Sequence, residues 1–316
     1  MASGGEILID LLVRDGVRHV FTVPGESFIA ALDAMYDAAG ITAITCRHES
    51  GAAMMAEAAG KLGPAPGVAL VTRGPGAANA VAGVYVAHQD ATAMLLLVGL
   101  PPRQLDGLPA FQTIDLQGVF GAISKWVVRV ERAEDLVRVV PRAFCTALSE
   151  RPGPVVIGLP EDVLSACATP PPRLASARVA PSPAHAADLS AIAAALAHAT
   201  RPIAIAGGSP WSAAAAQNLA TFAECFDLPV VTSFRRQDYL DNRHRCFAGH
   251  AGFAADAQLI AGLQAADLII ALGTRLGDVT TQGFRLLRGG HAQKIIHIAP
   301  DAGAAHRHLG ERPRRV

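Results

Sequence analysis

The chain has 316 residues, enough for two ordinary domains, of which 51% are hydrophobic and 17% charged. Its 27 cationic and 27 acidic side chains cancel to a formal net charge of zero. That balance leaves no electrostatic footprint for nucleic acid or an acidic membrane surface, so small molecules and proteins are the expected partners.

In chain order, "MASGGEILIDLLVRDGV" sets Glu6, Asp10, Arg14 and Asp15 inside an apolar pattern, which predicts an amphipathic helix and not a signal peptide. The runs "HVFTV", "ITAIT", "GVALVT", "AMLLLVG", "WVVRV" and "PVVIGL" then read as strands. Between them lie stretches of helical period such as Phe28–Ala38 and Ala52–Leu62. Continuously apolar strands separated by helices indicate a parallel sheet covered on both faces. The longest apolar run, near "ATAMLLLVGL", is about half of what a membrane span requires, so no membrane association is expected. "CATPPPRLASARVAPSPAHAA" is rich in Pro, Ala and Ser without periodicity and reads as a linker. A second α/β unit follows: "PIAIAGG", a helix over Ser212–Phe226, "PVVTSF", a helix near Ala254–Ala265, "DLIIALGT" and "KIIHIA". The expected architecture is two doubly wound parallel-sheet α/β domains, 1–164 and 188–316, joined by a linker over 165–187. The closing stretch "DAGAAHRHLGERPRRV" carries no apolar stripe and reads as an abrupt end. Five cysteines, odd in number and never spaced C-x-x-C, read as reduced thiols of a cytoplasmic protein, neither a metal cage nor a disulfide frame.

Three loops follow the carboxyl ends of predicted strands in the first domain, where parallel sheets hold their ligands. They are "VPGES" (Val23–Ser27), "CRHES" (Cys46–Ser50) and "TRGPGAAN" (Thr72–Asn79). A fourth, "VGLPPRQLDGLPAFQTIDL", is long and irregular, as mobile substrate loops are. In "TRGPGAAN", Gly74 and Gly76 remove side chains and Pro75 stiffens the turn. A planar ligand could lie against that backbone, facing the amides of a helix beginning near Ala77. A plain tight turn and a nucleotide loop of the G-x-G-x-x-G kind both remain open, although no acidic ribose partner follows the next strand.

Glu49 is more informative, because it heads a run of Ala, Met and Gly, "ESGAAMMAEAAG". As a helix N-terminal carboxylate it gains well under ~1 kcal/mol from the macrodipole. As a carboxyl at the mouth of a sheet, in an apolar setting, it could exchange a proton with a ligand nitrogen. Both readings stay open on local grounds. Glu57, two turns on, reads as structural, His48 as a loop buttress, and His88 as a structural histidine that could line the site.

Taken together, "VPG", "RHE-x-GAA-x-MAEA-x-G", "GVALVTRGPGAAN", "AFQ" and "KW" resemble the thiamine-diphosphate-dependent decarboxylase and carboligase superfamily, and are most similar to acetolactate synthase and its close kin. The resemblance covers the whole chain; it is strong to about residue 165 and continues through "RPIAIAGG", "ADLIIALGTRLGD" and "KIIHIA". It implies a pyrimidine-binding domain followed by the central domain. Glu49 then bonds N1′ of the aminopyrimidine and favours the imino tautomer, whose nitrogen takes the thiazolium C2 proton. The cofactor in turn decarboxylates a 2-oxo acid such as pyruvate and joins the remainder to a second carbonyl. Position by position, the resemblance implies cofactor contacts from Pro24, Gly25, Thr72, Gly74, Pro75, Gly76, Asn79 and Gln112. It also matches Lys125 to a lysine near the substrate channel; a solvated lysine beside a packed Trp126 is the plainer reading.

Several features depart from the family pattern. "FQT" replaces "FQE" at Thr113, and "VPGES" replaces the "YPGG" style, which leaves the identity of the 2-oxo acid open. No "GDG…N" segment is present, since "RDG" at Arg14–Gly16 and "LDG" at Leu105–Gly107 lack its first glycine and its setting. The expectation is therefore no metal site in this chain, with Mg²⁺ and the diphosphate held by a missing C-terminal domain or a partner chain. A homo-oligomer or a partner carrying that domain is implied. The central domain admits FAD, with "GGSP" and "GTRLGD" at the matching positions. The competing readings are a truncated, catalytically silent nucleotide- or cofactor-binding protein that keeps the fold and a 2-oxo-acid decarboxylase of the same superfamily.

Overall fold

The computed structural model describes residues 1–169, 184–208, 211–287, 293–299 and 314–315. The chain divides into two compact units, Met1–Val179 and Ala180–Val316. The first opens with β1 (Ala2–Ser3), α1 (Gly4–Arg14), β2 (His19–Thr22), α2 (Ile29–Asp37), β3 (Thr42–Thr45), α3 (Glu49–Leu62) and β4 (Gly67–Val71). It continues with α4 (Pro75–Asp90), β5 (Met94–Leu100), α5 (Leu116–Phe120), β6 (Trp126–Arg129), α6 (Leu136–Leu148), β7 (Pro154–Pro160), α7 (Glu161–Ser165) and β8 (Cys167–Ala168). Six strands form one parallel sheet in the order β3-β2-β4-β5-β7-β6. From β2 the chain places β3 on one side and β4 on the other, so the strand order reverses between β2 and β4. A doubly wound sheet opens a crevice at such a point, above the carboxyl ends of its strands.

The sheet splits the core by simple alternation. Val68, Leu70, Leu95, Leu97, Val155 and Ile157 face one layer, with α1 and α6 residues; Ala69, Val71, Met94, Leu96, Val98 and Val156 face the other. All seven residues of β5 are buried, and each fully buried large aliphatic side chain contributes about 1.5–3 kcal/mol. α1 begins on a capping box: Ser3 Oγ accepts from Glu6 N–H, and the Glu6 carboxylate accepts from Ser3 N–H.

The Ala- and Gly-rich runs have a packing reason. A Cβ at Gly83 of α4 would stand 2.4 Å from Ala53 Cβ of α3, and a Cβ at Gly67 would stand 1.7 Å from the Ala56 carbonyl oxygen. Small residues let α3 and α4 approach each other and the sheet closely, which brings their first turns together at the carboxyl edge.

Both ends of the expected 165–187 linker are structured. α7 and β8 close the first unit, with β8 pairing antiparallel to β1 through Ala2–Ala168 and Ser3–Cys167, and a helix begins at Ala186. Residues 170–183 of that linker lie outside the described residues.

The second unit contains α8 (Ala186–His198), β9 (Pro202–Ala206), α9 (Ala213–Cys225), β10 (Val230–Ser233), β11 (Phe247–Ala251), α10 (Ala257–Ala265), β12 (Leu268–Leu272), β13 (Lys294–Ile298) and β14 (Arg314–Arg315). Its strands are parallel in the order β11-β10-β9-β12-β13-β14. Here the order reverses between β9 and β12. The expected helix over Ser212–Phe226 includes its two caps, and Ser212 Oγ accepts from Ala215 N–H. α8 and β11 are additions to the sequence reading. α8 buries only Ile192 and Leu196, too thin a stripe to register as periodic, and "FAGHA" interrupts its apolar residues with Gly and His. The closing stretch 301–316 lies outside the described residues except for 314–315.

Candidate functional site at the first switch point

The loops after β2, β3 and β4 converge above the reversal of strand order. Gly25 follows β2 closely, and a Cβ there would stand 2.7 Å from Thr72 Cβ, so only glycine permits the approach. Fully buried Ser27 shares a 2.9 Å hydrogen bond with Thr72 Oγ1, and Thr22 Oγ1 donates to the Leu70 carbonyl at 2.7 Å. These bonds hold the two loops in one geometry. Gly74 adopts φ +55°, and a Cβ on it would stand 2.7 Å from the Gln112 carbonyl oxygen. Gln112, itself at φ 59°, is thereby seated against the 72–79 loop. Pro75 occupies the first turn of α4, where a missing N–H costs nothing.

Glu49 stands at the centre of this arrangement. It is the first residue of α3, capped by His48, whose Nδ1 accepts from Ser50 N–H at 3.2 Å. Its side chain is buried, with 9% relative exposure. Asn79, on the facing first turn of α4, donates from Nδ2 to Glu49 Oε2 at 2.9 Å. Oε1 faces Gly76, where a Cβ would stand only 3.3 Å away. One carboxylate oxygen is therefore fixed by an amide, and no donor of the described residues bonds the other. The two readings of Glu49 left open by the sequence coincide: a helix N-terminal carboxylate and a carboxyl at the mouth of the sheet are the same residue. A flat, nitrogen-bearing ring fits this cradle, because glycines at 25, 74 and 76 leave its walls bare and Oε1 offers an acceptor.

The structure brings Gly25, Glu49, Thr72, Gly74, Pro75, Gly76, Asn79 and Gln112 to one edge, with Pro24 on the same loop as Gly25. It does not bring Lys125 there. Lys125 N–H bonds the Pro154 carbonyl at the amino end of β7, and Nζ donates to the Ser149 carbonyl at 2.7 Å and to Ser149 Oγ at 3.2 Å. The amino edge of the sheet holds it, away from Glu49 and the glycine loops. His88 sits in the last turn of α4, also at the far end, with its carbonyl accepting from Arg151. Glu57 is structural as expected, accepting from Thr92 Oγ1 at 2.8 Å. Ser27 is the site residue the sequence reading passed over; its position two residues beyond the "PG" turn was the available signal.

The cofactors other than thiamine diphosphate find less here. Among the described residues no group of three or more His, Cys, Asp or Glu side chains could hold a metal ion. At the reversal point of the second sheet, the Gly208 carbonyl accepts from Arg236 Nε at 2.7 Å and from Tyr239 OH, and the Gly207 carbonyl accepts from Trp211 Nε1 at 3.0 Å. Trp211 and Tyr239 stack at 4.8 Å, and a Cβ on Gly208 would stand 1.9 Å from the Gly273 carbonyl oxygen. Described side chains thus bond the glycine carbonyls at this point, and nothing in their arrangement is specific to FAD; Ser209 and Pro210 of "GGSP" lie outside the described residues.

Comparison with known proteins places these observations in a family. The N-terminal TPP-binding domain of thiamine pyrophosphate enzymes matches residues 2–119, and the central domain of the same enzymes matches 189–312. The chain is 33% identical to the acetolactate synthase isozyme 3 large subunit of Escherichia coli over 286 residues, which are 89% of this chain and 50% of that protein. It is 32% identical to the acetolactate synthase large subunit of Haemophilus influenzae over 305 residues, 95% of this chain and 53% of that one. Against the mitochondrial acetolactate synthase catalytic subunit of Aspergillus candidus it is 34% identical over 292 residues, 88% of this chain and 42% of the relative. The chain therefore spans about half the length of the relatives it matches. With both domains in order and a buried glutamate seated where the first sheet opens, the chain belongs to the thiamine pyrophosphate enzymes, among the acetolactate synthase-like members.

Proposed function

We propose that this chain supplies the pyrimidine-side half of a thiamine-diphosphate-dependent carboligase or decarboxylase of 2-oxo acids, most like an acetolactate synthase joining two pyruvates with loss of carbon dioxide. The observation that carries the reading is Glu49, buried at the switch point with Oε2 held by Asn79 and Oε1 turned to the glycine gap. When bound, thiamine diphosphate supplies the carbanion chemistry. Glu49 Oε1 holds a proton at a ring nitrogen, and Asn79 fixes the carboxylate plane so that proton exchange follows one line. Gly25, Gly74 and Gly76, with Pro24 and Pro75 shaping their turns, keep the walls close and free of side chains. Thr72 sets their spacing through Ser27, and Gln112 reaches the rim from the 101–115 segment.

Mg²⁺ and the diphosphate are assigned to a further domain or a partner chain, and the assembly is a homo-oligomer or a pairing with that partner. Exposed apolar side chains on α3 and α4 support this: Met54 is 39% exposed, Met55 43%, Leu62 84% and Tyr85 51%. Met54 and Met55 lie in the second turn of α3, close to Glu49, whereas Leu62 ends α3 and Tyr85 lies toward the end of α4. A cytoplasmic location belongs to the same reading. It is supported by five free cysteines and by the lack, among the described residues, of any helix long and apolar enough to cross a membrane.

The test adds thiamine diphosphate, Mg²⁺ and pyruvate to the chain, with and without a separately expressed diphosphate-binding domain. Acetolactate formed only in the mixture supports the reading. No product in either tube, together with no cofactor binding by the mixture, overturns it in favour of a silent protein that keeps the fold.

A further inference from the structure

The two loops that shape the site are fastened to a single helical turn. α7 follows β7 without a break, and its first two residues are Glu161 and Asp162. Asp162 Oδ1 accepts from the Arg103 backbone N–H at 3.1 Å, and Oδ2 accepts from Arg103 Nε at 2.7 Å. The same guanidinium donates through Nη1 to the Glu131 carbonyl just beyond β6. Arg103 stands at the root of the segment that ends at Gln112. A second strap crosses that root, with Arg129 Nη2 donating to both Asp106 oxygens at 2.8 Å. On the other side, Glu161 Oε2 accepts from Arg73 Nη1 at 3.3 Å, and Arg73 lies between Thr72 and Gly74.

The strand order explains the choice of side chains. β5 is next to β7, so Arg103 reaches α7 with its own backbone N–H. β4 is two strands from β7, about 10 Å at the usual strand spacing, which takes the combined length of an arginine and a glutamate. The tip of the segment is unlike its root: Leu108 is 56% exposed and Phe111 76% exposed. Gln112 meets Gly74 at the end of this arm. An arm with an exposed tip delivers a side chain to a fixed place more reliably when its root is fixed.

We propose that the first turn of α7 is a positioning post for the site, with Asp162 setting the arm that carries Gln112 through Arg103 and Glu161 setting the 72–79 loop through Arg73. Its functional meaning rests on the thiamine diphosphate reading; its geometry does not. The two-point, charge-assisted pairing of Asp162 with Arg103 is the shorter and stronger of the two links; Glu161 meets Arg73 at one point only. Partial burial pushes the Asp162 carboxyl up, but the bonds from the Arg103 N–H and guanidinium, with the arginine's charge, outweigh it and hold the carboxyl below its ordinary value. The other charged groups around the post are Glu131 beside Arg103, and Glu26 and Asp33 across the groove from Glu161.

Hydrogen–deuterium exchange on the full chain, without cofactor, tests the post independently of the enzyme reading. Asp162→Asn and Arg103→Ala should each speed exchange over 103–112 on the order of tenfold, the loss of one charged hydrogen bond, while β5 and β7 stay protected. The double variant should be faster than either single one but by less than the product of their effects, since they share the Arg103 Nε–Asp162 bond, and Asp162→Glu should restore most of the protection. Glu161→Gln should loosen 72–79 instead. Arg103→Lys, which keeps the charge but loses the two-point geometry, serves if an alanine variant does not fold, and should also open 103–112. Unchanged exchange over 103–112, additive single effects, or loosening spread evenly through the sheet would overturn the proposal.

Discussion

The two sheets of this chain reverse their strand order in the same way and treat the resulting crevice in opposite ways. At β2 and β4 the crevice walls are Gly25, Gly74 and Gly76, and the polar group turned into it, Glu49 Oε1, has no donor from the described residues. At β9 and β12 the glycines are also present, but their carbonyls are taken by Trp211, Arg236 and Tyr239, and the last two are 3% and 9% exposed. A glycine loop at a switch point is therefore only a permission. The groups that face it decide whether a ligand or the protein's own side chains fill the space.

The comparison breaks most readily at Glu49. In the assembled enzyme, Glu49→Gln should lower turnover by about 10²–10⁴-fold, the range of a lost proton-transfer group, with the chain's melting temperature unchanged. Undiminished turnover would mean that the first crevice is not the reacting one. The next effect concerns the approach of α3 to α4. Gly83→Ala places a methyl 2.4 Å from Ala53 Cβ and should cost about 1–3 kcal/mol in denaturant unfolding of the first unit. The same shift would separate Asn79 from Glu49, so a stable, tightly folded variant would contradict this account of the Ala- and Gly-rich run.

The second crevice sharpens the contrast at smaller scale. Tyr239→Phe removes the hydroxyl that bonds the Gly208 carbonyl and should cost about 1 kcal/mol. The chain should take up no FAD when titrated and show no flavin absorbance after gel filtration; stoichiometric flavin would reverse the reading of that crevice. The smallest effect is a pH response. Asp267 accepts from the Thr200 hydroxyl and from the Thr200 and Arg201 amides, and these bonds lower its carboxyl from 3.8 to about 2. A depressed carboxylate stabilises the fold above its unfolded value, and that contribution disappears as pH falls through the folded one. The melting temperature of the second unit should drop as pH is taken from 4 toward 2, and Asp267→Asn should remove this part of the slope.

Much of this contrast was legible before any coordinates. The runs "GVALVT", "AMLLLVG" and "PVVIGL" are strands because apolar residues without interruption can be buried on both faces only in a covered parallel sheet. "TRGPGAAN" carries its own turn chemistry, and Glu49 is conspicuous as a carboxyl heading an apolar helix. Other features were less legible because their signals are weak locally: α8 buries two aliphatic residues, and β11 contains a glycine. Lys125 matched a motif and yet lies at the amino edge, bonded to Ser149, since a motif carries order along the chain and not the edge of the sheet at which it ends.

The sequence by itself determined most of the elements, the family pattern and a conspicuous carboxyl at the head of α3, because propensity, burial period and turn chemistry act over a few neighbouring positions. Tertiary structure alone decided which partners those residues meet. Asn79 reaches Glu49 across thirty positions, Arg73 reaches Glu161 across eighty-eight, and Arg236 closes over Gly208 in the second sheet. Such pairings depend on strand order and on how closely two helices can approach, and neither is a local property of the chain.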